Sequence, residues 1–168
     1  MKIKIYLSIA LVFMACMATS CPEKEQDVYL VGIELMNFDN AGESMTESNE
    51  SVSKDAFVIG VRYKVCYTDD REGKYPEYYA QSSYGDPKII INVSSNPQII
   101  CNNDFDEDHP AGSDVTKLFK FGTDKDVEQD LLLILTTSPA PGTYSFKVVY
   151  NCSDNTVIEK STNPVTLF

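Results

Sequence analysis

The residues of this chain best suited to chemistry lie between positions 102 and 114. Asn102, Asn103, Asp104, Asp106, Glu107 and Asp108 form its densest set of hard oxygen ligands, the donor type that calcium takes in loops. Asp104, Asp106 and Asp108 are the candidate calcium ligands. Their spacing fails the EF-hand pattern. Counting from Asp104, His109 stands where a glycine should make the turn, Val115 stands where a bidentate glutamate should close the shell, and Pro110 intervenes. The competing reading is a solvated acidic loop, and it applies equally to Asp69, Asp70 and Glu72.

Catalytic groups are scarce. His109 is the only histidine, so any Ser-His-Asp or Cys-His arrangement must use it, yet it sits between Asp108 and Pro110 and no Gly-x-Ser-x-Gly elbow exists. Cys66, Cys101 and Cys152 lie far apart without a Cys-x-x-Cys pair, which speaks against zinc. Gly-rich phosphate loops are absent, and no spacing singles out a carboxylate pair for glycoside hydrolysis. The expectation is a protein that is not an enzyme and needs no cofactor. Aromatic residues suggest recognition instead. Tyr75, Tyr78, Tyr79 and Tyr84 populate the long connection from Thr68 to Pro87, where exposed tyrosines would offer rigid, amphipathic contact area to a protein or glycan ligand. The alternative is that they anchor the loop to the body of the fold. The lack of tryptophan weighs against the glycan version.

The first 21 residues carry the sharpest pattern in the chain. Lys2 and Lys4 form a basic start, Ile5 to Met17 an apolar stretch too short for an ordinary membrane span, and Ala18-Thr19-Ser20-Cys21 a small-residue cleavage site. Cys21 is the expected lipidation site, with Cys16 as the competitor behind the bulky Phe13 and Met14. This divides the chain into a signal peptide over 1–20, a lipidated cysteine and acidic tether over 21–27, and one folded domain over 28–168. Acyl chains on Cys21 would replace a transmembrane helix, and several are needed because one alone holds only marginally.

The whole chain carries a formal charge of −11, and loss of the leader removes Lys2 and Lys4 and no acid, leaving −13. That charge argues against nucleic acid and anionic head groups as ligands, since both demand positive patches. Three cysteines beyond the leader allow one disulfide and a free thiol in any of three pairings, or three reduced thiols.

The elements that must position these groups read as strands. Period-two patterns of β-branched and aromatic residues, cut by polar turns, predict an all-β domain of seven to nine short strands without a long helix. Val28–Phe38 is the first. Phe57–Tyr67 alternates most cleanly, with Phe57, Ile59, Val61, Tyr63, Val65 and Tyr67 toward the core and Val58, Gly60, Arg62, Lys64 and Cys66 opposite, mostly toward water. Residues 40–55, rich in Ser, Glu and Asn, predict a solvated loop. Lys88–Val93 predicts a short strand aligning Ile89, Ile91 and Val93, and Ile99-Ile100 part of another. Val115–Phe121 and Leu131–Thr136 predict strands, although Ser113-Asp114 is also suited to cap one helical turn. Tyr144–Tyr150 predicts a strand that reverses at Cys152–Asn155 into Thr156–Lys160, and Val165 and Leu167 are expected to extend the edge.

These patterns suggest an antiparallel, immunoglobulin-like β-sandwich. Pro141-Gly142-Thr143-Tyr144-Ser145-Phe146-Lys147-Val148 resembles the late-strand pattern of immunoglobulin-like and fibronectin-like modules, with Tyr144 at the corner position. Ala18-Thr19-Ser20-Cys21 resembles a relaxed bacterial lipobox, with Ala18 in place of the usual leucine. Pro22-Glu23-Lys24-Glu25-Gln26-Asp27 resembles the acidic stretch after the cysteine in Bacteroidota surface lipoproteins. The order of these segments, with Asn37-Phe38-Asp39-Asn40-Ala41-Gly42, Ala56-Phe57-Val58-Ile59-Gly60-Val61-Arg62 and Ala111-Gly112-Ser113-Asp114-Val115-Thr116, is similar to small Bacteroidota lipoproteins of unknown function. The resemblance implies a lipid-anchored protein on the outer face of the outer membrane and a sandwich fold, and nothing catalytic. The first functional expectation, a recognition or accessory module, rests on loops that would present Tyr75, Tyr78, Tyr79 and the acidic segment. A subunit of a fimbrial or envelope assembly built by strand addition is the alternative, and an envelope hydrolase comes third.

Overall fold

The computed structural model describes residues 26–67, 88–123 and 129–168. These residues form an all-β arrangement of antiparallel sheets with two parallel pairings and no α-helix. In chain order the strands are β1 (Gln26–Asp39), β2 (Thr46–Glu47), β3 (Ser51–Val52), β4 (Phe57–Tyr67), β5 (Lys88–Ile90), β6 (Gln98–Cys101), β7 (Phe119–Gly122), β8 (Leu131–Leu135), β9 (Gly142–Tyr144), β10 (Phe146–Asn151), β11 (Val157–Ser161) and β12 (Val165–Leu167). The large sheet runs β2-β1-β4-β8-β7, with β5 parallel to the start of β1. Two three-stranded sheets, β11-β10-β6 and β3-β12-β9, complete the set.

β1 and β4 pair along nearly their whole lengths, from Val28↔Tyr67 to Asp39↔Phe57, with one slip between Leu30 and Gly32. The slip is a β-bulge at Val31, and it has a signature in the sequence. Buried positions fall at Val28 and Leu30, then at Ile33, so the period-two pattern changes parity across one extra residue. Phe57, Ile59, Val61 and Val65 of β4 are buried as the alternation predicts. They meet Phe146, Val148 and Tyr150 of β10 and Ile99 and Cys101 of β6 in one continuous core.

The opposite face of β4 departs from expectation. Val58 and Gly60 are buried, not solvated, because Val58, Phe38 and Leu132 form a second apolar cluster joined by Met36, Met45 and Ile134. Only the later half, Arg62, Lys64 and Cys66, is partly open to water. Gly60 makes this cluster possible: a Cβ there would lie 2.5 Å from Phe38 Cε2 and 2.9 Å from Gln129 Cγ.

Four further segments differ from the sequence pattern. Lys88–Val93 forms a strand only to Ile90, then turns. Ile90 packs on the core while Ile91 is exposed, so Ile89, Ile91 and Val93 do not share a buried face. The cause is Asn92, buried, whose carboxamide accepts from Leu30 N (2.8 Å) and donates to Leu30 O (3.0 Å), substituting for a strand beside the bulge. The span after Val115 opens with a 3-10 turn, Thr116–Leu118, before β7. Asp114 Oδ1 accepts from Thr116 N at 2.9 Å, but Val115 occupies the cap position. The predicted strand Tyr144–Tyr150 is two strands broken at Ser145, which lets β9 and β10 enter different sheets. β12 is the centre of its sheet, not an edge, flanked by β9 and by β3 from the Ser- and Glu-rich stretch read as loop. With Val165 and Leu167 buried, the last residues belong to the core.

Cys66, Cys101 and Cys152 are free thiols, Cys101 and Cys152 in the core, so none of the three disulfide pairings forms. Burial pushes the Cys101 thiol up, against a backbone hydrogen bond that lowers it.

Two observations here give testable outcomes. Gly60→Ala should cost about 1–3 kcal/mol in urea unfolding through overpacking, and less in a Phe38→Ala background where the obstructing ring is gone. Tyr63 of β4 and Tyr150 of β10 share a hydroxyl–hydroxyl hydrogen bond of 3.0 Å with their rings edge to face, linking two sheets. Burial raises both phenols above 10.0, Tyr150 far above it, while the unfolded chain ionises near that value. The folded state therefore holds protons that the unfolded state loses, and stability present below pH 10 declines as pH rises past it. Unfolding midpoints should fall between about pH 9 and about pH 11.5, and fall less in Tyr63→Phe/Tyr150→Phe.

Candidate functional site

The acidic segment leaves β6 at Asn102 and returns along the same strand. Cys101 N donates to Ser113 O (3.0 Å), Gly112 N to Cys101 O (2.7 Å) and Val115 N to Ile99 O (2.8 Å), so the loop covers the outer edge of β6. Gly112 takes φ 87°, a left-handed conformation that favours glycine, where the loop turns back. Phe105 pins the loop from beneath. It is buried, with its ring centroid 5.9 Å from Tyr144, 6.4 Å from Phe146 and 6.3 Å from the His109 ring.

The carboxylates above Phe105 serve the loop's own amides. Asp106 Oδ1 accepts from Asp108 N (2.9 Å), His109 N (2.8 Å) and His109 Nδ1 (2.7 Å), and Asp104 Oδ1 accepts from Ala111 N (2.8 Å). Desolvation raises the Asp106 carboxyl, but the donors from His109 and Asp108 outweigh it and hold the group below its ordinary value. Asp114, which also accepts from Gln98 Nε2 at 2.8 Å, is lowered in the same balance. Asp104, Asp106 and Asp108 thus share one exposed loop without converging. Among the described residues, no group of three or more His, Cys, Asp and Glu is arranged to hold a metal ion. The signal for this turn is in the sequence: an aspartate two and three residues before the amides it accepts is an Asx-turn pattern.

A second feature lies at the bulge. Val31, Gly32, Ile33 and Lys64 of the large sheet, with Val157, Ile158 and Glu159 of β11, line an open groove of about 380 Å³. Val31 and Val157 are 46% and 59% exposed, so apolar surface flanks it. Lys64 Nζ lies 2.6 Å from Glu34 Oε1, and that bond, followed by neighbouring Lys64, Arg62 and Lys160 charges, holds Glu34 low against a smaller opposing desolvation. Neither side of the groove was marked by residue type. The parity change at Val31 was its one sequence signal.

The candidate tyrosines Tyr75, Tyr78, Tyr79 and Tyr84, and Cys21, lie outside the described residues. The strand ends that bracket the tyrosine segment, Tyr67 and Lys88, both sit beside the start of β1, paired near Val28 and Gln26. None of the described helical segments is long and apolar enough to cross a membrane.

A family model for a domain of unknown function, DUF5034, matches residues 30–132. The chain belongs to the DUF5034 family. No curated protein and no solved structure matches the chain significantly. The DUF5034 match opens in β1 and closes in β8, so it takes in the bulge, β4 and the acidic loop, while β9 to β12, which finish the core, lie beyond it.

The loop geometry predicts that Asp106→Ala, by removing one acceptor for three donors, speeds amide hydrogen exchange at Asp108 and His109. Exchange within β10 should stay unchanged, because Phe105 keeps its seat.

Proposed function

We propose that this DUF5034 protein is a lipid-anchored lipoprotein of the outer membrane, displayed at the cell surface and acting as a non-enzymatic recognition or accessory module. The observation that carries this reading is the N-terminal pattern: Lys2 and Lys4, the apolar run Ile5–Met17, and Ala18-Thr19-Ser20-Cys21 followed by acidic residues. It is supported by β1 beginning at Gln26, which leaves only a short tether after Cys21.

An immunoglobulin-like sandwich is the fold we assign to the displayed domain. Its support is the Tyr144 hydroxyl, which donates to Ala140 O at 2.7 Å, four residues upstream, as a corner tyrosine does. A buried aromatic and aliphatic core of sheets joined at Phe146 agrees with it. Ligand recognition is assigned to the Tyr75, Tyr78, Tyr79 and Tyr84 segment, and the ligand is a protein or glycan.

A structural role through strand addition is the second reading, favoured by β11, an exposed outer strand beside the open groove. It would use β11 and not β12, whose central position makes removal of Val165–Phe168 a loss of core.

The reading is tested by treating intact cells with protease while a periplasmic protein reports integrity. The wild-type domain should be digested while the control survives. Cys21→Ala should lose both membrane fractionation and surface digestion. Full protection of a domain that is cleaved readily once isolated would overturn surface display.

A further inference from the structure

One edge of β1 is taken by β4, and the other is shared by several short partners. On that second edge β5 pairs with Gln26–Val28, the Asn92 carboxamide bonds Leu30, Ser48 N donates to Asn37 O at 2.9 Å, and β2 pairs with Phe38 and Asp39. Among the described residues, no strand pairs with it from Val31 to Met36. The backbone groups left in that interval follow from β4. Tyr63 N donates to Asp130 Oδ2 at 2.6 Å and Val61 O accepts from Asp130 N at 3.0 Å, so both residues turn their backbone away from β1. In an antiparallel ladder the residues opposite them turn away as well. Those residues are Ile33 and Leu35, whose N–H and C=O groups therefore point out of the edge of the sheet.

β11 runs beside this interval without joining it. Val31, Gly32 and Ile33 line one side of the groove of about 380 Å³, and Val157, Ile158 and Glu159 line the other. Cys152 N donates to Thr156 O and Thr162 N to Phe146 O, so the alternation between them turns the N–H and C=O groups of Val157, Glu159 and Ser161 away from β10. An asparagine bridges the two strands at either end of the interval. Asn37 Nδ2 donates to Asn163 O at 2.9 Å, just past the end of β11. At the other end Asn92 holds Leu30 through its side chain and accepts from Ser153 N, at 2.9 Å, through its carbonyl. The gap at Leu30 is therefore one residue wide, filled by a single piece of chain bonded to β1 and to the β10–β11 turn together.

We propose that the next stretch of β1 is the seat of one extended partner segment, which continues the line begun by β5 and Asn92 and pairs through its backbone with Ile33 and Leu35. The segment would match the interval Val31–Met36, roughly 20 Å of strand. The inference rests on the second reading above, strand addition, and gives it a seat at β1 in place of the outside of β11. An extended backbone is the occupant because it presents N–H and C=O groups at the two-residue spacing of Ile33 and Leu35. Side chains on its inner side would meet Ile33 of the core and Ile158 packed against it, so apolar residues fit at alternate positions. Glu34, Arg62, Lys64, Glu159 and Lys160 bring both signs of charge to the surroundings of the groove, so the seat selects extended backbone and apolar alternation without a preference for charge.

The test uses the full-length lipidated protein in detergent micelles, with amide hydrogen exchange followed residue by residue by NMR. In the free protein Ile33 and Leu35 should exchange several-fold faster than Glu34, which is bonded into β4 opposite Arg62. Seven-residue peptides are then selected on the protein from a random phage-displayed library and synthesised. A selected peptide should slow exchange at Ile33 and Leu35, and Gly32→Leu should weaken its binding several-fold. A Cβ at Gly32 would meet Lys64 Cβ and Cδ at 3.6 Å, an ordinary contact, so the fold accepts a side chain there while the groove it lines is filled. Unchanged exchange within β10 reports that the variant is folded. Exchange at Ile33 and Leu35 as slow as at Glu34 in the free protein means that the chain or a second copy already fills the seat, and overturns the proposal. Peptides that slow only Val157, Glu159 and Ser161 overturn the seat on β1 while strand addition at β11 stands. Failure to select any peptide that slows either edge overturns both.

Discussion

Phe146 is the contact on which the rest of this structure depends. It is fully buried, and its ring meets Phe57 of the large sheet at 5.7 Å, Phe119 of β7 at 5.4 Å, Phe105 of the acidic loop and Tyr144 of the neighbouring sheet. No one of the three sheets is wide enough to bury an apolar face alone, so a shared ring that touches the elements of all of them makes one core from three partial ones. Its backbone is held as firmly. Thr162 N donates to Phe146 O at 2.8 Å, and Phe146 N donates to Thr162 Oγ1 at 3.1 Å, extending the β10–β11 pairing past the last residue of β11. Phe105 and Tyr144 owe their positions to this centre, and through Phe105 so does the acidic loop.

Strand edges are managed by local chemistry around that core. The return of the acidic loop covers β6, and the Asn92 carboxamide occupies the edge of β1 beside the bulge. β11 is an exception, left outermost in its sheet, with Glu159 and Lys160 exposed and Glu159 paired to Lys147 at 3.6 Å. Buried polar groups are mostly satisfied, but Asn37 Oδ1 and Gln129 Oε1 have no protein partner among the described residues, although the same Asn37 donates through Nδ2 to Asn163 O at 2.9 Å.

The parts of the fold legible in the sequence are those where one face of a strand alternates without interruption, although the second cluster on the other face of β4, at Val58 and Gly60, was not legible. β4 is read to its ends because eleven residues alternate without interruption, and the β10–β11 hairpin because a polar turn divides two alternating runs. What escaped depends on partners distant in sequence. Ser51-Val52 has no strand pattern of its own and becomes β3 only because β12 offers an edge. Asn92 sits in an apolar run and is buried because Leu30, sixty-two residues away, needs a partner for its amide and carbonyl. Ser145 marks a change of sheet that period-two alternation passes over, since parity is the same on both sides. At the candidate site the cluster of carboxylates is plain in the sequence, but Asp104 reaches an amide seven residues on, at Ala111, a partner set by the fold of the loop and by no local spacing. Tyr144 is the reverse case, a position read from a short motif whose hydroxyl makes the expected bond.

The length of β1 also bears on how the domain carries load. Fourteen residues of one strand run from Gln26 to Asp39, bonded to β4 along almost all of it. A force drawn along that axis from the N-terminal side strains many of those hydrogen bonds together, in shear, so that yielding requires them to fail nearly at once. The same force applied crosswise at Gln26 would open them one after another, as a zip does, starting at the parallel contact with β5. The bulge at Val31 divides the two regimes, since the ladder slips there and a tear begun at Gln26 meets its first break in register after the Leu30↔Val65 pair. Direction of pull, more than total stability, would set how long the fold survives under tension.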